Sequence, residues 1–508
     1  MVPFIFLASS IFIPFNDNWH HIAENVLLDY FVNSLSLAIG VGFCTFIIGT
    51  TTAWLTSVYD FPFRKIISWL LLMPLAMPAY IIAITYVGII DSTSFLPDIR
   101  NLFGAIIMIS LVLYPYVYIL ARGAFLEQSK ELHENSQILG ASQFQIFLKV
   151  SIPMARPAII LGGTLAAMEA LADFGTVEFL GVPTFTTGIF RTWFGMNDTV
   201  TATQMATLLL SIVFIFVFIE QQSRKKVRYS ENIKTQSKLN YRITSKKNNF
   251  FIAVICIFPI AFGFIIPFLQ LIYWSIFISN ESWDSDFFSI VNDTLLLAFL
   301  ASIIITIISL LITYIKRFSP KSITNKFMQI ITLGYAIPGP VVAIAVLIPF
   351  AALDNYINQI LVVKFNFSLG LIFSGTFFIL IFAYCIRFLT VSSRTISSGL
   401  ESISLATDDA AKSLGASTKN ILIKIHFPML KTSLLTSFLI VFIDVMKELP
   451  LTSILRPFNF NTLSVKAFEL ASDEKIADAS NAAIMIVLAG IIPVILITKN
   501  ILGKRNKV

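Results

Sequence analysis

The sequence predicts an all-α, polytopic membrane protein with about twelve transmembrane helices in two parallel six-helix repeats. Two observations carry this prediction. Of the 508 residues, 56% are hydrophobic and 13% are charged, a balance far more apolar than that of a soluble domain. A polar stretch also occurs twice: Gly140 and Gly415 lie 275 positions apart, and each is followed by alanine and serine. Such duplication at a fixed register indicates an internal repeat.

Runs of apolar residues predict the individual spans, because about 20 such residues cross a bilayer as a helix. The first half has runs at 32–55, 66–90, 102–121, 153–180 and 201–219. The second half has runs at 250–277, 294–315, 327–352, 367–390, 429–455 and 476–498. A further run at 2–15 is too short, yet it resembles the middle of run 250–277. We therefore expect a first helix without its front half, through either a late start of the sequence or a stunted span.

A basic linker separates the two halves. Between Arg224 and Lys247 the chain carries nine Lys or Arg against one acid, and the positive-inside rule places such a segment in the cytoplasm. We expect a first repeat at 1–219, the linker at 220–248 and a second repeat at 249–508, with both termini cytoplasmic. The same rule accounts for the net charge of +7 without a nucleic-acid partner.

The duplicated stretch has the features of a compact loop at the inner face of the membrane. Each copy has a polar helix, a glycine that allows a left-handed turn, a second short helix and a proline that opens the next span. For one copy, a plain juxtamembrane helix with a glycine cap would explain the pattern equally well, whereas two copies at equal spacing favour a function. The positions concerned are Glu134, Gly140, Ala141, Ser142 and Pro153 in the first copy, and Asp409, Ala410, Ala411, Gly415, Ala416, Ser417 and Pro428 in the second.

These residues resemble the EAA loop of the membrane subunits of binding-protein-dependent ABC importers. That pattern is Glu-Ala-Ala, three residues, Gly, nine residues and Ile-x-Leu-Pro. The second copy departs from it at Asp409 and Phe427, whereas the first copy keeps Glu134 but has Asn135-Ser136 and Val150 at matching places. The resemblance implies the fold of a type I importer permease, in which each loop docks on one of two copies of a cytoplasmic ABC ATPase.

No ATPase site is predicted in this chain. Its one Gly-Lys pair, Gly503-Lys504, lacks the glycine five residues earlier that a P-loop needs. The resemblance therefore implies that ATP and Mg are used by the partner ATPase and that this chain binds no cofactor. It is expected to be a transport subunit rather than an enzyme.

Further segments resemble the ferric-iron permeases of this superfamily. The resemblance covers nearly the whole chain except the front of the first span and the linker. It implies import of ferric iron, delivered by a periplasmic iron-binding protein, across the bacterial inner membrane. Thiamine, phosphonate and polyamine permeases share the general plan, and thiamine is the leading alternative substrate. The segments are 173–188, 191–195, 447–452, 455–458 and 462–463.

Four acidic residues fall inside predicted spans at matching register. Glu169 and Asp173 lie one turn apart in the outer half of run 153–180, and Asp444 and Glu448 follow 275 positions later. Intramembrane acids are costly and usually face a cavity or a partner. We therefore place these four on the translocation pathway, where carboxylate oxygens would suit a hard cation.

The same acids have two structural explanations. They could pair with Arg191, Lys447 or Arg456 to hold loops at the outer gate, or they could accept backbone hydrogen bonds where a helix breaks. His20 and His21 are interpreted as outer-loop residues, and no metal site is assigned.

Two other classes of membrane protein fit less well. A secondary transporter can have six plus six spans and a basic linker, but the turn 59–65 lacks the Gly- and Arg-rich signature expected of the major-facilitator form. A membrane enzyme would need a convergent acid, base and nucleophile. The chain has four histidines, of which His133 and His426 lie beside or within the repeated loops. No such catalytic set is therefore apparent in the sequence.

Overall fold

The computed structural model describes residues 2–93, 97–225, 242–243, 245–281, 283–318, 334 and 337–503. Regular structure in these ranges is helical except for two short strands. Strand β1 (Tyr59–Asp60) pairs in parallel with β2 (Arg242–Ile243), so the end of the linker contacts the turn that follows the first long helix. Most of the predicted linker, and the start of the span predicted at 327–352, lie outside the described residues.

The first half contains both long helices and short connecting helices. They are α1 (Val2–Ser9), α2 (Asp17–Asn25), α3 (Leu27–Val58), α4 (Arg64–Leu70), α5 (Ala79–Thr93), α6 (Leu102–Leu126), α7 (Lys130–Ile138), α8 (Gln143–Ile146), α9 (Ile152–Ala172), α10 (Gly175–Phe179), α11 (Phe185–Phe190) and α12 (Thr199–Lys225). Short 3-10 segments occupy Ser10–Phe12 and Met73–Ala76, and π segments occupy Phe147–Ser151 and Arg191–Gly195.

The second half follows the same order from its long helix onward. Its helices are α13 (Lys246–Ile260), α14 (Ile266–Phe277), α15 (Ser285–Phe318), α16 (Gly339–Phe365), α17 (Phe377–Glu401), α18 (Leu405–Ser413), α19 (Thr418–Ile421), α20 (Phe427–Met446), α21 (Pro450–Leu455), α22 (Leu463–Ser472) and α23 (Ser480–Gly503). The π segments here are Ala261–Ile265 and Leu422–His426.

The helix lengths confirm the predicted all-α polytopic fold. Ten helices in the described ranges are long and apolar enough to cross a membrane. Joining Arg64–Ala76 to Ala79–Thr93 across a 91° bend adds an eleventh span. The short first run folds as the eight-residue helix α1, which by itself is too short to cross.

Two compact units make up the chain. One contains Met1–Ile11, Glu281–Lys466 and Leu488–Val508, and the other contains Phe12–Asn280 and Ala467–Val487. Helix α1 therefore belongs to the unit built from the second half, whereas α13 and α14 belong to the unit built from the first. The repeat boundaries at 219 and 249 concern the sequence duplication and stay a prediction.

Close packing of α3, α6 and α9 forms the core of the first-half unit. Gly49 and Gly162 both face Val117 on α6, and a Cβ at either position would lie within 2.7 Å of a Val117 carbon. Small residues allow this approach of backbones, which is how helices associate when lipid removes the hydrophobic driving force. Two buried hydroxyl groups inside α3 donate to its own carbonyls: Thr45 and Thr52 donate to Val41 and Ile48 over 2.7 Å.

The equivalent bundle of α15, α17 and α20 uses hydroxyl contacts as well. Ser392 and Ser437 hydrogen-bond across the interface at 2.7 Å, and both are buried. Gly399 lies against Ser433, where an added Cβ would be 2.7 Å from the serine Cβ. Each bundle therefore depends on small residues at its crossing points.

Substitutions at two adjacent glycines test this packing. The Gly162→Ala substitution places a Cβ 2.7 Å from the Cα of Val117, and we expect it to destabilise the protein by about 1–3 kcal/mol. Gly163→Ala is the matched control, because the nearest atom to its Cβ is 3.8 Å away. Thermal unfolding in detergent should show a lower Tm for the first variant only; equal Tm values would contradict the close packing.

Candidate functional site: two repeated loops and two helix breaks

The first repeated loop is a helix, a left-handed glycine and a second short helix. After α7, Gly140 adopts φ of 83°, a conformation that L side chains rarely take. The amide of Ala141 donates to the carbonyl of Ser136 over 3.0 Å, the long hydrogen bond of a Schellman turn. Ser142 then caps α8 by accepting from the amide of Gln145, whose side chain accepts from the Ser142 amide. The loop therefore has a defined shape.

The second loop has the same construction. Gly415 adopts φ of 79°, and Ala416 donates to the carbonyl of Ala411 over 3.0 Å. Ser417 caps α19 by accepting from the amide of Asn420 at 3.3 Å. The Ala411 side chain is buried. Gly, Ala and Ser at matching positions thus form the same left-handed turn and the same N-cap in both copies.

Each loop leads into the next span through a π segment and a proline. Pro153 and Pro428 occupy the second position of α9 and α20. The chain is already helical before each proline, since Ser151 and His426 have αR backbone angles. A proline inside a helix removes one amide donor, and the π segment lies just before this position in both copies.

Both loops present acidic and apolar groups on their exposed surface. Glu134, Asp409 and Ala410 are exposed. Leu139 and Leu414, at equivalent positions just before the glycines, are 87% and 89% exposed. Exposed leucines on paired, rigid loops are typical of surfaces that another protein covers.

Buried side chains connect the first loop to the long helices beside it. His133 on α7 hydrogen-bonds to the hydroxyl of Ser151, at 3.2 Å. The His133 ring stacks on Trp54 of α3, with centroids 5.6 Å apart. Burial lowers the pKa of His133, against a smaller opposing effect of its hydrogen bond to the Ser129 carbonyl, so the ring is neutral at pH 7.

A charged cluster holds the second loop. The carboxylate of Asp408 lies 2.7 Å from Nε of Arg317 and 2.7 Å from Nε2 of His426. Burial raises the pKa of Asp408, but hydrogen bonds from Arg317 and His426 outweigh burial and hold that pKa below its usual value. Asp408 is therefore ionised at neutral pH, and the stability it contributes is lost as the pH falls through its lowered pKa.

The sequence prediction gave no role to the residues that hold the two loops, although it placed His133 and His426 beside or within them. A signal for them existed, since His133 matches Asp408 and Ser151 matches His426 at the offset of 275. Two of the four histidines in the chain thus occupy equivalent layers of the two loops. Arg317 carried no such signal, because it lies far from the loop in sequence.

The first helix break lies at Asp173. Helix α9 ends at Ala172, so the apolar run 153–180 is not one continuous helix, contrary to prediction. The Asp173 carboxylate accepts from the amides of Thr176 and Val177 and from the Thr176 hydroxyl. The Thr186 hydroxyl donates to the Asp173 carbonyl over 2.7 Å. Asp173 therefore caps α10, one of the two structural explanations open from the sequence.

The second break repeats this arrangement with a longer acid. The Glu448 carboxylate accepts from the amide and hydroxyl of Thr452, and Ser464 donates to the Glu448 carbonyl over 2.7 Å. A buried cation is added here, since Nη1 of Arg387 lies 3.3 Å from Glu448. The run predicted as a single span over 429–455 is correspondingly interrupted after Met446.

The start of each long helix fixes the segment beyond the break. Ser34 on α3 accepts a hydrogen bond from the amide of Phe185, and Thr294 on α15 accepts one from the amide of Leu463, both at 3.0 Å. Helices α3 and α15 end at Val58 and Phe318, which are 260 positions apart. Ser34 and Thr294 are separated by the same 260 positions, so they occupy equivalent points of the two helices.

The ion pairs considered from the sequence are found in part. Asp444 pairs with Lys447 at 2.9 Å. Arg191 contacts Glu178 at 3.3 Å rather than Glu169 or Asp173. Arg456 donates to the backbone carbonyl of Phe460.

Glu169 differs from the other three acids. It lies half-buried in α9, and its carboxylate makes no hydrogen bond or ion pair with any residue that the structure describes. Among those residues, no group of three or more His, Cys, Asp or Glu side chains is arranged to hold a metal ion. His21 is near the amide group of Asn25 in its own helix, at 3.2 Å, and no metal ligand is assigned.

Repeated exposed loops and repeated polar breaks define the class: a two-repeat polytopic membrane protein of the transport type. The chain belongs to the family described as the binding-protein-dependent transport system inner membrane component, which matches it twice, at residues 45–229 and 311–507. The two matches confirm the internal repeat, and the family confirms the resemblance to ABC permeases.

Relatives of this chain include two permeases named for iron transport. It is 27% identical to the Fe(3+)-transport system permease protein FbpB 2 of Haemophilus influenzae, over 92% of this chain and 89% of the relative. It is 22% identical to the ferric transport system permease protein FbpB of Actinobacillus pleuropneumoniae, over 90% of this chain and 66% of the relative. A putative molybdenum transport system permease of Bacillus subtilis is 26% identical over 38% of this chain and 92% of the relative. The resemblance to ferric-iron permeases thus extends over both halves.

The second break yields a mutational test. Glu448→Ala leaves the buried Arg387 guanidinium without its carboxylate, and removing one partner of a buried pair costs about 3–5 kcal/mol. Asp444→Ala is the comparison, because the side chain of its partner Lys447 is 29% exposed and such a pair contributes about 1 kcal/mol or less. We expect detergent-solubilised Glu448→Ala protein to unfold at a clearly lower temperature than Asp444→Ala. An equal effect of the two substitutions would refute the role given to the Arg387 pair.

Proposed function

We propose that this chain is the permease subunit of an ATP-driven importer that moves ferric iron into the cytoplasm by alternating access. The observation that carries the proposal is the pair of rigid, exposed loops built alike on two repeats. Similarity to a Fe(3+) permease over 92% of the chain supports iron as the substrate.

The loops would couple transport to ATP hydrolysis in a separate ABC ATPase. Each loop would occupy a groove on one of two ATPase copies, with Leu139 and Leu414 at the contact and Glu134 and Asp409 beside it. The ATPase would bind ATP and Mg, whereas this chain would supply the pathway and bind no cofactor. A rigid loop suits this role because it passes movement between subunits without bending.

Orientation follows from the same proposal. If the loops contact a cytoplasmic ATPase, they lie on the inner face, together with both termini and the basic linker. The ends of α6 and α17 that lie away from the loops then face the periplasm, where a soluble iron-binding protein would deliver its cargo.

The intramembrane acids would have unequal roles on the pathway. Asp173 and Glu448 are engaged as caps of broken helices, and Asp444 is paired with Lys447. Glu169 is the acid of the four that would be available to a passing cation, and its carboxylate oxygens suit ferric iron. A single weak contact also agrees with transport, because a strong coordinating site would trap the ion.

A second candidate substrate class is an oxyanion. Permeases named for molybdenum and for sulfate match parts of this chain, the former over 38% of it and an Escherichia coli sulfate permease over 26%. Thiamine is a further alternative, because thiamine permeases share the general plan of the family. Iron is favoured because the iron relatives match both halves.

Substrate-dependent ATP hydrolysis tests the proposal. The chain, reconstituted with the ATPase encoded beside it, should hydrolyse ATP several-fold faster with the ferric-loaded binding protein than with the empty one. Thiamine-, sulfate- or molybdate-loaded binding proteins serve as controls. Stimulation by one of these alone would contradict iron as the substrate, and stimulation by none would contradict the coupling.

A double substitution tests the pathway. Glu169→Gln with Asp444→Asn removes two negative charges without changing side-chain size, and we expect iron uptake to fall to a small fraction of normal. Co-purification of the ATPase should be unchanged, because neither residue belongs to a loop. Normal uptake by this variant would exclude these acids from the pathway.

A further inference from the structure

The two repeated loops use different chemistry at the same positions. His133 and Asp408 are 275 positions apart, and so are Ser151 and His426. In each copy the first residue lies on the longer loop helix and the second ends the π segment. Their side chains meet in both, at 3.2 Å in the first copy and 2.7 Å in the second. The histidine has changed places between the copies, and a carboxylate faces it in the second.

We call the contacts between the longer loop helix and the end of the π segment the joint of a loop. The joint of the first loop includes the His133–Ser151 hydrogen bond, the stack of His133 on Trp54 and a bond from the Gln128 side chain to the Ser151 carbonyl at 3.0 Å. Hydrogen bonds between neutral groups are weaker than those that involve a charge. The His133–Ser151 contact is therefore weaker than the Asp408–His426 contact at the matching positions.

The joint of the second loop is organised by Arg317 on the last turn of α15. Its Nε lies 2.7 Å from Asp408 on α18, and its other nitrogens donate to the carbonyls of Leu400 and Ile403 at and just after the end of α17. The side chains of Arg317 and Asp408 are 7% and 4% exposed. A planar guanidinium can satisfy these acceptors together, which the single ammonium of lysine cannot reproduce.

Two aromatic contacts extend this joint. Tyr314, one turn before Arg317, donates its hydroxyl to the carbonyl of Thr418 on α19 at 2.6 Å. The ammonium of Lys412 lies 5.0 Å from the ring centre of Phe318. Both helices of the second loop are thus fastened to the end of α15. In the first half, the position equivalent to Arg317 is Ser57, 260 residues earlier.

We propose that Arg317 is a positioning residue that locks the second loop to its helix bundle, so that the second loop is stiffer than the first and couples more tightly to its ATPase subunit. The statement about coupling rests on the function proposed above. The difference in stiffness rests on the contacts alone.

Hydrogen–deuterium exchange on the purified full-length chain, without ATPase, measures the stiffness directly. In the wild type we expect slower exchange at 405–417 than at 130–142. Arg317→Ala should speed exchange at 405–417 roughly tenfold or more, since it leaves a buried carboxylate without its main partner. Arg317→Lys should restore protection only in part. Lys316→Ala is the matched control and should leave exchange unchanged, while protection of α3 verifies that each variant is folded.

ATP hydrolysis by the reconstituted complex measures the coupling. Arg317→Ala should reduce stimulation by the loaded binding protein more than His133→Ala does, with the basal rate and ATPase co-purification retained. Equal exchange in the two wild-type loops, or no response to Arg317→Ala, would overturn the stiffness difference. Equal losses of stimulation in the two variants would overturn the coupling claim. A wild-type complex that shows no stimulation would refute the proposed function, while the exchange data would still decide on the Arg317 lock.

Discussion

A helix that ends among buried side chains leaves amides and carbonyls that need hydrogen-bond partners, and this constraint shapes both halves of the protein. At each break an acid caps the next short helix, and a hydroxyl from the following segment satisfies the acid's own carbonyl. Asp173 and Glu448 therefore act as structural groups just beyond the candidate spans Gln143–Ala172 and Thr418–Met446. Irregular backbone becomes possible at these two positions because its polar groups have partners.

The breaks and the loops lie along the same helices, which connects the two candidate sites. Helix α9 begins at the first loop and ends at Asp173, and α20 begins at the second loop and ends just before Glu448. Under the proposed function, displacement of a loop would be passed along this helix to the break at its far end. Small residues at the crossings would keep each bundle closely packed during such movement. The difference between the two loop joints would then make the two halves respond differently to the ATPase.

The fold and the loops could be predicted from sequence because their signals are local or repeated. Apolar runs reveal spans, and Gly140 with Gly415 reveals the turn that both loops require. The breaks at Asp173 and Glu448 could be given only as one of several explanations of the acids, since an apolar run such as 153–180 does not show where its helix stops. Arg387 and Arg317 were missed for another reason. Arg387 lies 61 residues from Glu448 in the sequence, and Arg317 lies 91 residues from Asp408. Such pairing depends on tertiary packing alone. The repeat register could have revealed His133 and His426, because matched positions carried related polar residues.

The central claim is that the two loops are twin docking elements for an ATPase. Photo-crosslinking tests it most directly, with a photoreactive amino acid placed at position 139 or at position 414 in the assembled complex. These positions carry the exposed leucines of the first and second loop. The account predicts that either position alone captures the ATPase, and that both together give a product with two ATPase copies. Capture from one position only, or from neither, would contradict it.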